Sequence, residues 1–103
     1  MPTYITLINW TDQGVRSVKD TLERSERVAE DAEKKHGARF ERIYWTVGPY
    51  DIIAILEAPD EESASALLLE DASQGNIRTT THRAYDREEM RGIIGRLGPP
   101  PGS

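Results

Sequence analysis

The most informative absence is that of cysteine, since the 103 residues contain none. Disulfide bonds, thiolate metal sites and cysteine nucleophiles are therefore excluded. Long hydrophobic runs are missing too, because no apolar stretch approaches the roughly 20 residues that a membrane-spanning helix needs. Residues 1–6 also lack the charged region and apolar stretch of a secretory signal peptide. From these absences we predict a cytoplasmic protein that has no membrane partner.

Clusters of basic residues and of metal ligands are also absent from the sequence. Thirteen lysines and arginines against 18 acids give a net charge of −5, and the basic residues alternate with glutamates, as over 23–27. A nucleic-acid partner is not expected, because phosphate binding needs a concentrated basic surface. The two histidines, His36 and His82, lie far apart in the chain with no further ligand cluster beside them. We therefore predict neither a metal site nor a cofactor.

Four segments are rich in β-branched and aromatic residues and predict strands: 3–9, 40–47, 51–57 and 76–84. The second and third are joined by a Gly-Pro-Tyr corner, which indicates a β-hairpin at the centre of the chain. The third is apolar on both faces over 52–56, a pattern typical of a strand that is covered on both sides.

Three further segments predict helices. The first begins at Thr11 or Asp12 and ends at Gly37, and the second runs from Asp60 to Gly75. The third begins with the capping-box pattern of Asp86 and Glu89 and stops at residue 98. The expected inner face of the first helix recurs at intervals of three and four residues: Val15, Val18, Leu22, Ser25, Ala29, Ala32 and His36.

The order of these elements predicts an α+β fold, the ferredoxin-like β-α-β-β-α-β unit with a C-terminal helix. Both long helices would pack on one face of a four-stranded antiparallel sheet. The other face would expose apolar side chains of strand 52–56, which favours a homodimer that pairs sheet against sheet. We expect a single domain over residues 1–97 and a disordered Pro/Gly tail over 98–103.

Four short motifs resemble those of the GYD-domain family, which belongs to the dimeric α/β-barrel superfamily. They occur in the family's order between about Tyr4 and Leu97, nearly the whole chain. The motifs are Asn9-Trp10-Thr11-Asp12-Gln13-Gly14, Gly48-Pro49-Tyr50-Asp51, Glu57-Ala58-Pro59-Asp60 and Gly75-Asn76-Ile77-Arg78-Thr79. The resemblance implies a ferredoxin-like protomer in a dimeric α/β barrel. It implies no single activity, because this superfamily is similar in shape to monooxygenases, haem enzymes, isomerases and ligand-sensing domains.

Five residues are candidates for ligand binding. Trp10 and Thr11 end the first strand at the mouth of the first helix, where an anion could bind or where Trp10 could simply close the barrel end and Thr11 cap the helix. Tyr44 and Thr46 lie on the polar side of the second strand, and Tyr50 lies at the hairpin turn, where it could donate to a ligand.

Two residues are candidates for proton transfer. Asp51 could act as a base, or it could accept hydrogen bonds from nearby backbone amides in the turn. His82 alternates with Arg78 and Thr80 on one side of the fourth strand and could act as an acid or base, or satisfy a local hydrogen bond. His36 is expected to stabilise the C-terminus of the first helix.

These residues leave three functional hypotheses open. The leading hypothesis is a small-molecule-binding module whose pocket lies between sheet and helices. The second is a cofactor-independent monooxygenase or isomerase that acts on a small aromatic metabolite. The third is a structural or interaction protein that assembles beyond the dimer.

Overall fold

Four antiparallel strands form a single sheet in the computed structural model, which describes residues 1–102. The last residue of the expected Pro/Gly tail lies outside this range. The strands are β1 (Thr3–Trp10), β2 (Arg39–Trp45), β3 (Ile52–Glu57) and β4 (Ile77–Ala84). Their order in the sheet is β2-β3-β1-β4, so the central hairpin occupies one half and β4 pairs with β1 on the other side. This is the order of a ferredoxin-like unit, and the predicted α+β, ferredoxin-like fold of the protomer is confirmed.

The helices are α1 (Asp12–Arg16), α2 (Thr21–His36), α3 (Glu61–Ala72) and α4 (Arg87–Ile94), and a 3₁₀ turn over Val18–Asp20 separates α1 from α2. Gly37 ends α2 with φ of 62°, a left-handed conformation that glycine adopts without strain. Asp86 and Glu89 form the predicted capping box of α4. No helix within residues 1–102 is long and apolar enough to cross a bilayer.

The predicted first helix is wrong in one respect, because it is broken at Ser17. The Arg24 guanidinium donates to the carbonyl oxygen and to Oγ of Ser17, each at 2.8 Å, and so stabilises the break. The break changes the register of the helix face. Val15, Val18 and Leu22 are 49%, 37% and 60% exposed, whereas the later members of the predicted face, Ser25, Ala29, Ala32 and His36, are half-buried or buried.

The core lies between α2, α3 and the covered face of the sheet. Its buried side chains alternate along β1 and β3 and continue onto the helices, as a pleated sheet with one covered face requires. The cluster consists of Tyr4, Ala32, Ala38, Leu56, Ala58, Ala64 and Leu67, with Val28 and Phe40 packed against it.

The opposite face of the sheet, here called the open face, is covered by no helix of residues 1–102. Ile5 pairs with Ile55 and Leu7 pairs with Ile53 in the register of β1 and β3. These four side chains are half-buried and form an apolar centre. Tyr44 of β2 and the exposed His82 of β4 lie on the same face toward its two edges.

Candidate functional site

A cavity of about 230 Å³ lies between the covered face of the sheet and helices α2 and α3. Its sheet side is apolar, and its polar groups come from the two helices and from the loop between α3 and β4. The apolar lining residues are Ile8, Trp10, Val28, Phe40, Ile43, Ile52, Ala54 and Ile77. The polar ones are Thr21, Arg24, Ser25, Arg27, Asp31, Asp71, Gln74 and Asn76. A concave apolar site with a few polar groups is the usual form of a small-molecule site.

Arg24 lines the cavity, and three of its five N–H donors bond to the chain itself. Beyond its two bonds to Ser17, it also donates to the Gly14 carbonyl at 3.4 Å. Its guanidinium therefore holds the junction of α1 and α2 in place. It also acts at longer range as a positive charge on Asp71, one of the two acidic residues of the cavity.

Asp71 lies in the last turn of α3, where its side chain is half-buried. Burial raises the pKa of this carboxyl from 3.8 to about 6, against the opposing effect of the Arg24 charge. Within residues 1–102 its carboxylate forms no hydrogen bond and no ion pair. Its oxygens are not fully buried, so solvent can still reach them.

A corner of the molecule beside the cavity joins the start of α1 to the loop before β4. The Thr11 amide donates to the Asn76 carbonyl at 3.0 Å, and the Thr11 hydroxyl donates to the Gly75 carbonyl. Gln13 Nε2 donates to the Gln74 carbonyl and to Asn76 Oδ1, both at 3.0 Å. We call this set of contacts the β1–α1 corner.

Gly14 permits the close approach at this corner. A Cβ atom on Gly14 would lie 1.9 Å from the Asn76 carbonyl oxygen, where no side chain fits. The first and fourth sequence motifs therefore meet in space. The two motifs form a tight backbone contact with each other, and this contact positions Trp10 and Asn76 in the cavity wall.

The hairpin motif is tied to the same corner through Asp51. Its Oδ2 accepts the Trp10 amide at 2.9 Å, and its own amide donates to the Ile8 carbonyl at 2.9 Å. The Thr46 hydroxyl donates to the Tyr50 carbonyl and closes the turn. Asp51 thus accepts a backbone amide, one of the two roles considered for it from the sequence.

The predicted ligand-binding residues do not converge on one place. Trp10 lines the cavity, whereas Thr11 caps α1 by accepting the Gly14 amide at 3.1 Å. Thr46 and Tyr50 lie in the hairpin turn, and Tyr44 lies on the open face.

The two candidates for proton transfer are also separate. Asp51 bonds to the Ile8 and Trp10 end of β1, whereas His82 pairs with Ile5 from the open face. His36 lies at the end of α2, where its Nε2 is 2.9 Å from Glu70 Oε2. That bond, with Lys35, lowers the pKa of Glu70. Residues 1–102 contain no group of three or more potential metal ligands.

Trp10 is the one sequence candidate among the cavity residues, and the charged residues Arg24 and Asp71 were not identified from the sequence. Asp71 follows Ala64, Leu67 and Leu68 at the spacing of one helix face, so a signal was available: a carboxylate on an otherwise apolar inner stripe. Arg24 had no such signal, because the predicted inner face of the first helix was displaced by the break at Ser17.

Comparisons with known proteins agree with this architecture. A family model described as the GYD domain matches residues 4–94. A protein of Thermus thermophilus is 34% identical over 84 residues, which cover 82% of this chain and 88% of that protein. It is described as a glutamine synthetase and cystathionine beta-lyase binding protein.

A solved structure supports the fold. The crystal structure of MtbAldR is similar with a TM-score of 0.64 and 14% sequence identity. The match covers 84% of this chain but only 52% of MtbAldR, so the chain spans about half the length of that protein. At this identity the similarity concerns the fold alone.

Proposed function

The chain belongs to the GYD-domain family, and from this premise we propose that it is a cytoplasmic, homodimeric binding protein whose cavity takes a small molecule. The observation that carries the proposal is the cavity between sheet and helices, with Trp10 and six aliphatic side chains among its lining. At about 230 Å³ it is smaller than the roughly 300–1,000 Å³ of drug-sized pockets. Its size suits a ligand with a single ring.

The cavity is tested by calorimetric titration with 2-phenylethanol, a neutral single-ring probe. Trp10→Ala removes the largest lining side chain and should weaken binding by about tenfold or more, because an aromatic ring dominates the contact area of such a site. Trp45→Ala is the matched control, since Trp45 does not line the cavity. Equal binding by both folded variants and the parent chain would refute the proposed site.

Dimerisation is supported by the open face. Ile5, Leu7, Ile53 and Ile55 form an apolar patch there that no helix covers, and burying such a patch is favourable. Ile53→Lys should convert a dimer to a monomer in light-scattering measurements after size exclusion. Leu69→Lys is the control, because Leu69 is 71% exposed on α3, away from the open face. A monomeric parent chain would contradict the proposal.

Binding of a protein partner is a second candidate function. The Thermus thermophilus relative is named for binding two enzymes, and this chain exposes apolar side chains where α2 begins. Trp45 Nε1 donates to Thr21 Oγ1 at 3.0 Å, which holds the indole beside the turn that carries the exposed Val18 and Leu22. Aromatic and aliphatic residues grouped in this way are typical of interface cores.

The partner function is tested with the glutamine synthetase and the cystathionine β-lyase of the organism that encodes this chain. Each purified enzyme is titrated with the parent chain and with Leu22→Glu. The variant should lose binding, whereas Leu69→Glu, which adds the same charge elsewhere, should retain it. Absence of binding to both enzymes would contradict this second function and leave the cavity unaffected.

A further inference from the structure

Asp71 is a carboxylate in the cavity wall that lacks a donor within residues 1–102. The carboxylate is half-buried and solvent still reaches its oxygens, so a donor that replaces the water lost on burial would stabilise its charge. The structure around Asp71 offers no protein group to fill this role. A donor supplied by a bound molecule would satisfy it.

The other charged groups of the cavity are committed elsewhere or solvated. Arg24 donates to Ser17 and Gly14. Asp31 Oδ2 lies 3.8 Å from Lys35 Nζ, and Arg27 is exposed. Glu70, the acidic neighbour of Asp71 on α3, pairs with His36 and Lys35.

We propose that the ligand of this cavity is a small apolar molecule with an amino group, and that the amino group donates its hydrogen bonds to Asp71. The inference rests on the proposed function, because it names the ligand class of the same cavity. The ring or aliphatic body of the ligand packs against Trp10 and the isoleucines of the sheet side. The ammonium group lies toward α3 and forms a charge-assisted hydrogen bond with the carboxylate.

An anionic ligand suits the cavity less well. Its carboxylate would meet the charge of Asp71, and the nearby guanidinium of Arg24 already donates to three oxygen atoms. A neutral alcohol could occupy the apolar part, but it would form only an ordinary hydrogen bond with Asp71. The expected order of affinity is therefore amine, alcohol and then carboxylate.

The amine should bind more weakly as the solution becomes acidic. Asp71 titrates near pH 6, whereas an alkylammonium group stays charged, so acidification neutralises only the protein partner. The ionisable cavity residues of α2 are Arg24, Arg27 and Asp31, and those whose charges act on Asp71 are Arg24 and its neighbour Glu70 on α3. The cavity residues of the sheet carry no ionisable group. Between pH 7.5 and pH 5 a single group with this pKa loses about nine-tenths of its charge, and affinity should fall about fivefold toward the level of the alcohol.

The experiment compares three probes of nearly equal size by calorimetry: 2-phenylethylamine, 2-phenylethanol and phenylacetate. With the parent chain at pH 7.5, the amine should bind about tenfold more tightly than the alcohol, as expected for a hydrogen bond between charged groups. In Asp71→Asn the amine should fall to the level of the alcohol, while the alcohol keeps its affinity. Glu62→Gln is the matched control, because it removes an exposed carboxylate of α3 that lies outside the cavity lining, and it should leave all three affinities unchanged.

The outcomes separate this inference from the proposed function. If the alcohol binds but the amine binds no more tightly, or if phenylacetate binds best, the assigned ligand class is overturned and the cavity function stands. Amine binding that Asp71→Asn leaves unchanged overturns it as well. Failure of all three probes to bind overturns the cavity function and this inference with it. The pH profile of the parent chain provides a measurement that needs no variant.

Discussion

Two short helices in this molecule, α1 and α4, are capped in the same way but held in different ways. In each, an N-terminal side chain accepts an amide three residues later: Thr11 accepts that of Gly14 and Asp86 that of Glu89. Around α1 the remaining bonds reach distant residues, chiefly Gly75 and Asn76.

Around α4 the bonds are local, and within residues 1–102 the one charged pair that links it to the sheet is the 2.9 Å contact of Arg83 with Glu89. The two helices therefore differ in the sequence separation of their contacts, which is large for α1 and small for α4. The β1–α1 corner is part of the tertiary structure and fixes the cavity wall. The C-terminal helix can change without disturbing the core, and its exposed Met90 and Ile94 remain available for contact with a second copy.

The largest expected difference between the two helices concerns their glycines. Gly14→Ala places a Cβ within 1.9 Å of the Asn76 carbonyl oxygen, so the backbone of the corner must shift. We expect the free energy of unfolding to fall by about 3 kcal/mol, at the upper end of overpacking effects. Gly92→Ala in α4 meets nothing within 4 Å and should be neutral or stabilising by up to about 1 kcal/mol. Chemical denaturation of both variants measures the difference, and equal stability would contradict the account of the corner.

A smaller loss is expected from Asp51, whose carboxylate ties the hairpin to the corner. Asp51→Ala leaves the Trp10 amide without its acceptor and should cost about 1–2 kcal/mol. Asp51→Asn keeps an acceptor oxygen and should cost less. Asp20→Ala is the control, because Asp20 occupies the N-cap position of α2 without a side-chain hydrogen bond. If the Asn and Ala variants lose equal stability, the hydrogen bond to Trp10 is not the reason.

In the cavity beside the corner, by contrast, we expect a substitution that raises the free energy of unfolding. The pKa of Asp71 is about 6 in the folded chain and is raised from 3.8, so the folded state binds the proton more tightly than the unfolded state. Stability from this group is therefore present at low pH, falls as pH rises from about 4 to 6, and stays low above pH 6. Asp71→Asn should stabilise the chain at pH 7.5 by about 1–2 kcal/mol, less than full linkage predicts because the carboxylate is partly solvated.

That gain should disappear when unfolding is measured near pH 4. A gain that does not depend on pH would show that ionisation of Asp71 is not its source. If Asp71→Asn is more stable and also binds 2-phenylethylamine more weakly, Asp71 contributes to binding at the expense of stability.

The sequence was sufficient for the parts of the fold that depend on local patterns. The strands follow from β-branched runs, Gly37 ends α2 as predicted, and Asp86 and Glu89 form the predicted capping box. These features could be predicted because each depends on residues a few positions apart.

The rest depends on contacts between distant residues. Val18 and Leu22 have the spacing of an inner face, but the break at Ser17, held by Arg24, turns them outward. The burial of Asp71 depends on how closely α2 approaches α3 over the sheet. A helical pattern places Asp71 on the inner stripe without showing whether a donor lies opposite it.

The smallest effect should come from the cap of α4. Asp86→Ala removes the bond that the Asp86 carboxylate accepts from the Glu89 amide and should lower the stability of that helix by about 1 kcal/mol. Because α4 is held by local contacts, the loss should appear as faster amide hydrogen exchange over residues 87–94 and not as a shift in the global unfolding midpoint. Thr11→Ala removes the equivalent cap of α1 and should lower the global midpoint, since Thr11 also donates to Gly75. If Asp86→Ala shifts the midpoint as much as Thr11→Ala does, α4 is part of the same cooperative unit as the corner, and the distinction between the two helices is wrong.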